Sequence, residues 1–300
     1  MKQQKKFDTK VFVAGDTIID KHVYLTASGL SLESPTMKTN YNREIVSYGG
    51  AANVAKHLSL LCGDVTFFTS FGSESLLKAF KKKYNINVIN KQAAAPNMKT
   101  RYWIERGDST YKYLQVNDTN SEIEAYDVGA MDFQYYNVVA ISDYRCGLIQ
   151  ENLINYTKEH VSNYAASQVS SKKNNFEKFS GFRNFVMNRS EAELYCKEMG
   201  DLITYQHFQN LNTEAVYVTA GSDGCFVYNE NMDLRYLPSP KKVKNTIGAG
   251  DAFYAGLLAS SGDVDFANRW AGYYVSTDIG CNHTLEGFNE HELQTNMRRA

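Results

Sequence analysis

Short apolar stretches alternate with amphipathic stretches along most of the chain. The first apolar stretch runs from Lys10 to Ala14 and ends at Gly15-Asp16. Runs of this kind are typical of parallel strands that are buried on both faces. Later runs of the same character are DVTFFTSFG, YNVVAISDY, NFVMN, AVYVTAG and FVYNE. Helical periodicity opens at GGAANVA (49–55), stops at Gly63, and returns at 146–163, 190–207, after Gly250 and at 267–277. This alternation predicts an α/β fold with a doubly wound, mostly parallel sheet flanked by helices.

Two other segments predict exposed strands outside that sheet. Residues 21–48 are rich in Thr, Ser, Asn and Tyr with loose alternation, and residues 100–116 show a hairpin pattern around a turn at 106–109. We interpret them as a small β-strand lid, inserted at about 21–48 and 99–117 into one domain covering residues 1–300. Alternating apolar side chains leave one lid face without a partner inside the chain, which predicts a homodimer contact there. They are Tyr102, Ile104, Tyr111 and Tyr113.

Composition narrows the class of partner. The 300 residues carry 32 Lys+Arg and 33 Asp+Glu, a net charge of −1, so no bulk positive field favours nucleic acid or a membrane surface. No run approaches the ~18 apolar residues of a membrane helix, and no export signal precedes the first strand. The five cysteines are never spaced as C-x-x-C, which fits a reducing cytoplasm. We therefore expect a cytoplasmic protein with a small-molecule ligand.

The segment TIGAGD, residues 246–251, combines glycines with the start of an apolar helical pattern. Glycines let the backbone approach an anion, and the N-terminus of a helix directs unpaired N–H groups at it. An acidic residue beside a phosphate site repels the phosphate, so its presence there suggests a catalytic role. One such role is to accept a proton from an attacking hydroxyl. Asp251 is therefore a candidate general base, although an ordinary N-cap explains it equally well at this stage. Neither a P-loop nor a G-x-G-x-x-G pattern opens the first helix, so any nucleotide site is of another kind.

Several motifs follow one another in a characteristic order. They are Gly15-Asp16 with Asp20, GGAANVA at 49–55, NRSE at 188–191, TAGSDG at 219–224 and GAGD at 248–251. This series, spanning about residues 10–285, resembles that of ribokinase-like (PfkB-type) sugar kinases. The resemblance implies the ribokinase-like fold and ATP-dependent phosphorylation of a sugar hydroxyl, with Mg²⁺ beside the phosphates.

The resemblance also assigns roles by position. Asp251 would deprotonate the hydroxyl, while the backbone at Gly248, Ala249 and Gly250 would hold the developing phosphate charge. Residues matching sugar-binding positions are Asp16, Asp20, Gly49, Gly50 and Asn53. Residues matching nucleotide-binding positions are Asn188, Glu191, Thr219, Gly221 and Gly224, with Glu191 also placed to organise Mg²⁺ through water. Simpler alternatives are turn residues for Asp16 and Asp20, a cap for Asn53, and an ordinary acidic first turn for Asn188 and Glu191.

Within the family, three stretches resemble kinases that phosphorylate D-glycero-D-manno-heptose 7-phosphate at its anomeric hydroxyl. They are SLESP at 31–35, KTR at 99–101 and SDY at 142–144. A phosphorylated substrate needs cations that reach a dianion, and Lys99, Arg101 and Lys172 are the candidates. The alternative for these three is a solvated hairpin face.

Several positions depart from the family pattern, among them Ser170-Ser171 where the heptose kinases have Asp-Pro, and Gln115 and Asn117 where they have Arg and Asp. Cys146 stands where the heptose kinases have a basic residue, and Asn245 stands where most of the family has Asp. The leading hypothesis is a sugar kinase. Two other hypotheses remain: a non-catalytic sugar-binding or regulatory protein on a kinase scaffold, and a nucleoside kinase of the same fold.

Overall fold

The computed structural model describes residues 6–119, 122–129, 131–169, 173–231, 233–237, 242–279, 281–289 and 291. Strands and helices are numbered along the chain. The main sheet has the order β13-β12-β11-β10-β9-β8-β1-β4-β5 within these residues. Its strands are β1 (Phe7–Gly15), β4 (Cys62–Thr69), β5 (Asn87–Asn90), β8 (Val138–Asp143), β9 (Asn163–Ser167), β10 (Asn184–Asn188), β11 (Ala215–Thr219), β12 (Cys225–Asn229) and β13 (Asp233–Tyr236). All neighbouring strands from β5 at one edge across to β11 are parallel. β12 is antiparallel to both of its neighbours, β11 and β13.

The apolar runs found in the sequence form the centre of this sheet. Val11, Phe12, Val13 and Ala14 of β1 are all fully buried, since helices and loops cover both faces of the strand. Side chains on alternate positions enter two separate cores: Val11 and Val13 join one, and Phe12 joins the other. The continuous apolar pattern therefore records a strand with two buried faces.

The helices are α1 (Ala51–Leu61), α2 (Glu74–Lys83), α3 (Glu151–Lys158), α4 (Arg189–Cys196), α5 (Ala249–Ala259) and α6 (Val264–Val275). Two predicted helices were too long. Residues 146–150 lie outside α3 because the backbone N–H groups of Cys146 and Leu148 donate to the Asp16 carboxylate instead of forming a helical turn. Residues 159–163 also lie outside it, since α3 ends at Lys158 and Asn163 already begins β9. α4 ends before Lys197, which adopts a left-handed φ of 56°, and short 3₁₀ turns replace the rest of the predicted helix.

A small sheet of the described residues stands apart from the main sheet, with the order β3-β2-β6-β7. Its strands are β2 (Thr17–Leu30), β3 (Met37–Gly50), β6 (Asn97–Arg106) and β7 (Ser109–Asp118). The predicted hairpin is confirmed as β6 and β7, with its turn between Arg106 and Ser109. β2 and β3 are longer than the predicted segment, and they join the main fold directly because β2 begins two residues after β1 and β3 ends where α1 begins.

Four elements carried no assignment from the sequence: β5, β9, β13 and α2. Each strand among them has only four or five residues. Runs of that length contain too few positions for a period to be distinguished. The overall prediction of a mostly parallel sheet flanked by helices, with a small second sheet, is nevertheless confirmed.

Candidate active site

Two cavities meet at the carboxyl ends of the parallel strands. The small-sheet cavity, of about 110 Å³, lies between the small sheet and the helices, and its lining includes Asp20, Asn53 and Lys56. The main-sheet cavity, of about 100 Å³, lies over the ends of β8 to β11. Asp251 lines both cavities. A larger cavity of about 780 Å³ opens at the opposite edge, near the starts of β10 and β11, away from these groups.

Asp251 lies in the first turn of α5, three residues after its N-cap Gly248, so it is not itself the cap. One carboxylate oxygen accepts a hydrogen bond from Asn53 Nδ2 at 2.9 Å, and the other accepts one from the Tyr144 hydroxyl. These partners come from α1 and from the loop after β8, so two segments distant in sequence from α5 fix the orientation of this carboxylate.

The surroundings of Asp251 change its acidity. Burial raises the pKa of Asp251 to about 6, and the nearby charge of Asp20 adds to this effect. The hydrogen bonds from Tyr144 and Asn53 act in the opposite direction, because they stabilise the ionised form. Burial also raises the pKa of Tyr144, which keeps this hydroxyl protonated as a donor. Asp251 thus has a pKa near the pH at which a general base is most effective.

The backbone around the start of α5 is shaped by its glycines. Gly248 has a φ of +83°, and a Cβ there would lie 2.6 Å from Asn53 Nδ2 and 2.7 Å from the Tyr274 hydroxyl. A Cβ at Gly250 would instead enter open space at the wall of the main-sheet cavity. The Ala249 N–H donates to the Thr246 carbonyl oxygen at 3.2 Å. A phosphate at this point would share the Ala249 donor with that carbonyl.

Asp20 lies on β2 at the small-sheet cavity and is 9% exposed. Arg101 of β6 forms an ion pair with it. Gly49 accommodates this carboxylate, because a Cβ on Gly49 would lie only 2.0 Å from an Asp20 oxygen. Asp20 is therefore a residue within a strand and not a turn residue.

Asp16 follows β1 at the point where the strand order reverses, between β1 and β8. It is 1% exposed. Its carboxylate accepts three backbone hydrogen bonds from the loop after β8, from Tyr144 at 2.9 Å, Cys146 at 3.3 Å and Leu148 at 3.0 Å. Gly50 lies against it, since a Cβ on Gly50 would lie 2.6 Å from the Asp16 carbonyl oxygen. In this structure Asp16 holds the loop that carries Tyr144.

Asn53 and Lys56 lie one helical turn apart on α1. The Lys56 ammonium donates to Asn53 Oδ1 at 3.3 Å, and Asn53 Nδ2 donates to Asp251. The cap of α1 is Gly50, so Asn53 is not a cap. Burial, together with repulsion from Lys83, lowers the pKa of Lys56 to about 8. Lys56 was not predicted as a site residue, although its i, i+3 spacing from Asn53 places it on the same helix face.

The main-sheet cavity brings together part of the predicted nucleotide-binding set. Asn188 and Glu191 line it, and they also form a reciprocal capping box at the start of α4, with distances of 2.9 and 2.8 Å. Burial raises the pKa of Glu191. Thr219 lines the same cavity, whereas Gly221 and Gly224 shape the tight turn that follows it.

The cations predicted for a substrate phosphate are placed differently from one another. Arg101 is engaged by Asp20, and the Lys99 ammonium lies 5.7 Å from the centre of the Tyr144 ring. Lys172 lies outside the described residues. No group of three or more His, Cys, Asp or Glu side chains within the described ranges is arranged to hold a metal ion.

This arrangement can be compared with known proteins. The family model for pfkB family carbohydrate kinases matches residues 8–262. The chain belongs to the pfkB family. It is therefore a phosphotransferase of a family that acts on sugars. The bifunctional protein HldE of Hydrogenovibrio crunogenus is 27% identical over 97% of this chain, and the match covers 64% of that relative. The chain thus spans about 64% of the length of this curated relative.

Solved structures show the same fold at low identity. Ribokinase from Thermotoga maritima superposes with a TM-score of 0.69 at 14% identity, over 95% of this chain and 99% of that one. Phosphofructokinase-2 from Escherichia coli gives a TM-score of 0.70 at 13% identity, over 96% and 99%. The main sheet and the small sheet are thus those of the ribokinase-like fold. No helix in the described part of the chain is long and apolar enough to cross a membrane.

Proposed function

We propose that this pfkB family protein transfers the γ-phosphoryl group of ATP, with Mg²⁺, to a hydroxyl of a sugar phosphate. The observation that carries the proposal is the position of Asp251 on the wall shared by two cavities. The acceptor would occupy the small-sheet cavity and the nucleotide the main-sheet cavity. A base between the two can take the proton of the hydroxyl as the hydroxyl approaches the γ-phosphate.

Each neighbouring group has a defined role in this proposal. Asn53 and Tyr144 orient the Asp251 carboxylate through their hydrogen bonds. The backbone of Gly248, Ala249 and Gly250 at the N-terminus of α5 stabilises negative charge on the transferring group. Asp20, held in place by its ion pair with Arg101, binds a sugar hydroxyl. Glu191 would contact waters of a bound Mg²⁺, and that ion would neutralise charge on the phosphates.

The first candidate acceptor is D-glycero-D-manno-heptose 7-phosphate, phosphorylated at its anomeric hydroxyl. The support is the resemblance at residues 31–35, 99–101 and 142–144 to kinases of this sugar, together with the relatedness to proteins named HldE.

A coupled ADP-release assay tests both activity and acceptor. It compares heptose 7-phosphate, fructose 6-phosphate, ribose and common nucleosides, each with and without Mg²⁺. Turnover fastest with heptose 7-phosphate is the expected result. Turnover only with nucleosides would favour the nucleoside kinase hypothesis. Tight sugar binding without Mg²⁺-dependent ADP release would indicate a sugar-binding protein on a kinase scaffold.

We further propose a homodimer formed through the small sheet. β7 is exposed along its whole length, and its Tyr111 and Tyr113 are 47% and 52% exposed. Ile104, which was predicted to belong to this face, is instead buried within the chain, although its register partner Tyr111 is exposed. The apolar face is therefore built mainly on β7. Sedimentation at micromolar concentration should give the mass of a dimer, and a monomer would contradict the proposal.

Alanine substitutions at Gly248 and Gly250 should have different effects. Gly248→Ala forces a Cβ into Asn53 and Tyr274 at a positive φ, so the melting temperature should fall by several degrees, corresponding to ~1–3 kcal/mol. Gly250→Ala places its methyl group in open space, so the melting temperature should stay within about 1 °C, whereas kcat should fall at least ~10-fold by obstruction of the phosphate. Calorimetry and ADP-release kinetics measure both effects. A Gly250→Ala enzyme with full activity would argue against a phosphate at this position.

The pH profile of kcat/KM should report the ionisation of Asp251. Because only the ionised carboxylate accepts a proton, kcat/KM should fall about tenfold per pH unit below the pKa of about 6. Tyr144→Phe removes a hydrogen bond that lowers this pKa, so the acidic limb should move to higher pH. Ionisation of the substrate affects both enzymes equally, so the shift of the acidic limb between wild type and Tyr144→Phe reports on the enzyme alone. Tyr156→Phe, at an exposed position, is the control, and coincident limbs for Tyr144→Phe and wild type would contradict the assignment.

A further inference from the structure

Two lysines line the small-sheet cavity and have no assigned role in the proposed phosphoryl transfer. Lys56 projects from α1 and is half-buried, and Lys83 lies at the last position of α2 on the exposed rim. Their charges are close enough for Lys83 to lower the pKa of Lys56. Holding two like charges together at a partly buried site is unfavourable, and an anion bound between them during the functional cycle would offset that cost.

No acidic group among the described residues of the cavity forms an ion pair with these lysines, although the charge of Asp251 raises the pKa of Lys56 and so partly opposes the effect of Lys83. Asp20 is paired with Arg101, and Asp278 is paired with Lys244 at 3.1 Å. Among the ion pairs of the described residues, none involves Lys56 or Lys83. Lys56 instead donates to the Asn53 amide oxygen and lies 5.7 Å from the centre of the Tyr274 ring. An ammonium with one neutral acceptor retains further donors for a ligand.

We propose that Lys56 and Lys83 form an anion subsite that binds the phosphate group already carried by the acceptor sugar. This inference rests on the proposed function and assigns its substrate class, a sugar phosphate, to a particular wall of the site. Lys56 reaches Asp251 through two successive hydrogen bonds, by way of Asn53. A sugar phosphate held by both lysines therefore places its phosphate on the α1 and α2 side and extends its sugar chain towards Asp251.

The subsite differs from the one predicted on the small sheet. Arg101 already forms an ion pair with Asp20. Lys99 lies over the ring of Tyr144, whose hydroxyl donates a hydrogen bond to Asp251. Lys56 remains mostly protonated at pH 7 because its lowered pKa is still about 8. A bound dianion would stabilise that charge further.

Binding measurements that need no turnover test the subsite. Isothermal titration calorimetry compares two ligand pairs, heptose 7-phosphate with heptose and fructose 6-phosphate with fructose. The proteins are wild type, Lys56→Met, Lys83→Met, Lys99→Met and the control Lys82→Met, which changes an exposed lysine of the same helix turn. Methionine preserves the length of the side chain and removes a partly buried charge, so Lys56→Met should melt no lower than wild type.

Lys56→Met and Lys83→Met should each weaken binding of the phosphorylated sugar by ~10-fold or more, as expected for the loss of a charge-assisted hydrogen bond. Binding of the unphosphorylated sugar should change less than ~3-fold. Equal losses for both members of a pair, or a selective loss only in Lys99→Met, would overturn the subsite. Wild type that prefers neither phosphorylated sugar would overturn it as well. ADP release with an unphosphorylated sugar would in that case leave the kinase proposal intact.

Discussion

Replacement of Asp251 by asparagine is expected to lower kcat by ~10²–10⁴-fold, the range for loss of a positioned general base. The carboxamide keeps the size of the side chain but cannot accept a proton at neutral pH. It can still accept a hydrogen bond from either Asn53 or Tyr144, so the fold around α5 should persist. ATP binding should change little, because the main-sheet cavity retains its strand-end lining.

Three measurements separate this outcome from a loss of structure. ADP release gives kcat, calorimetry gives the dissociation constant for ATP, and thermal unfolding gives the melting temperature. Asp265→Asn is the matched control, because Asp265 is an exposed acid in the first turn of α6. An Asp251→Asn enzyme with unchanged kcat would show that another group accepts the proton. A large fall in ATP affinity would show that Asp251 acts mainly on the nucleotide.

Short motifs in the sequence predicted individual residues of the site, but not the residues that contact them in the fold. The GAGD segment predicted a helix N-terminus with an acid beside it, and α5 begins there with Asp251 in its first turn. The hydrogen bond between Asn53 and Asp251 joins residues 198 positions apart. Only the fold brings these residues together, so periodicity could not predict the contact.

Asp16 illustrates a second limit of sequence reasoning. Its position after β1 predicted a residue at the ligand-binding edge of the sheet, and it does lie there, at the reversal of strand order. Its carboxylate is nevertheless directed to three backbone N–H groups from a loop more than 120 residues away. The same loop interrupts the helix predicted from Cys146. An aspartate can accept hydrogen bonds either from a ligand or from backbone N–H groups, and the sequence alone does not show which of the two it binds.

Asp16→Ala should therefore destabilise the fold, by an amount set by two opposing effects. Three buried N–H groups would lose their acceptor, at ~1–3 kcal/mol each without strict additivity. Against this, burial and the charge of Asp143 raise the pKa of Asp16 from 3.8 to about 6. At ~1.4 kcal/mol per pH unit, this means that its ionisation costs the folded state about 3 kcal/mol at pH 7. The loss of hydrogen bonds should prevail, which leaves a net destabilisation of about 2–4 kcal/mol at pH 7.5.

The pH dependence of this difference identifies its origin. Between pH 3.8 and about 6 the folded wild type holds a proton on Asp16 that the unfolded chain has released, so this group stabilises the fold as the pH falls. Alanine lacks that contribution, and the gap between wild type and Asp16→Ala should be wider at pH 5 than at pH 7.5. Urea unfolding at both pH values measures it. Asp8→Ala, at an exposed position of β1, should shift stability by less than ~0.5 kcal/mol. Because the freed loop carries Tyr144 away from Asp251, kcat should fall as well, whereas an Asp16→Ala enzyme with wild-type stability and kcat would show that the loop is held by other contacts.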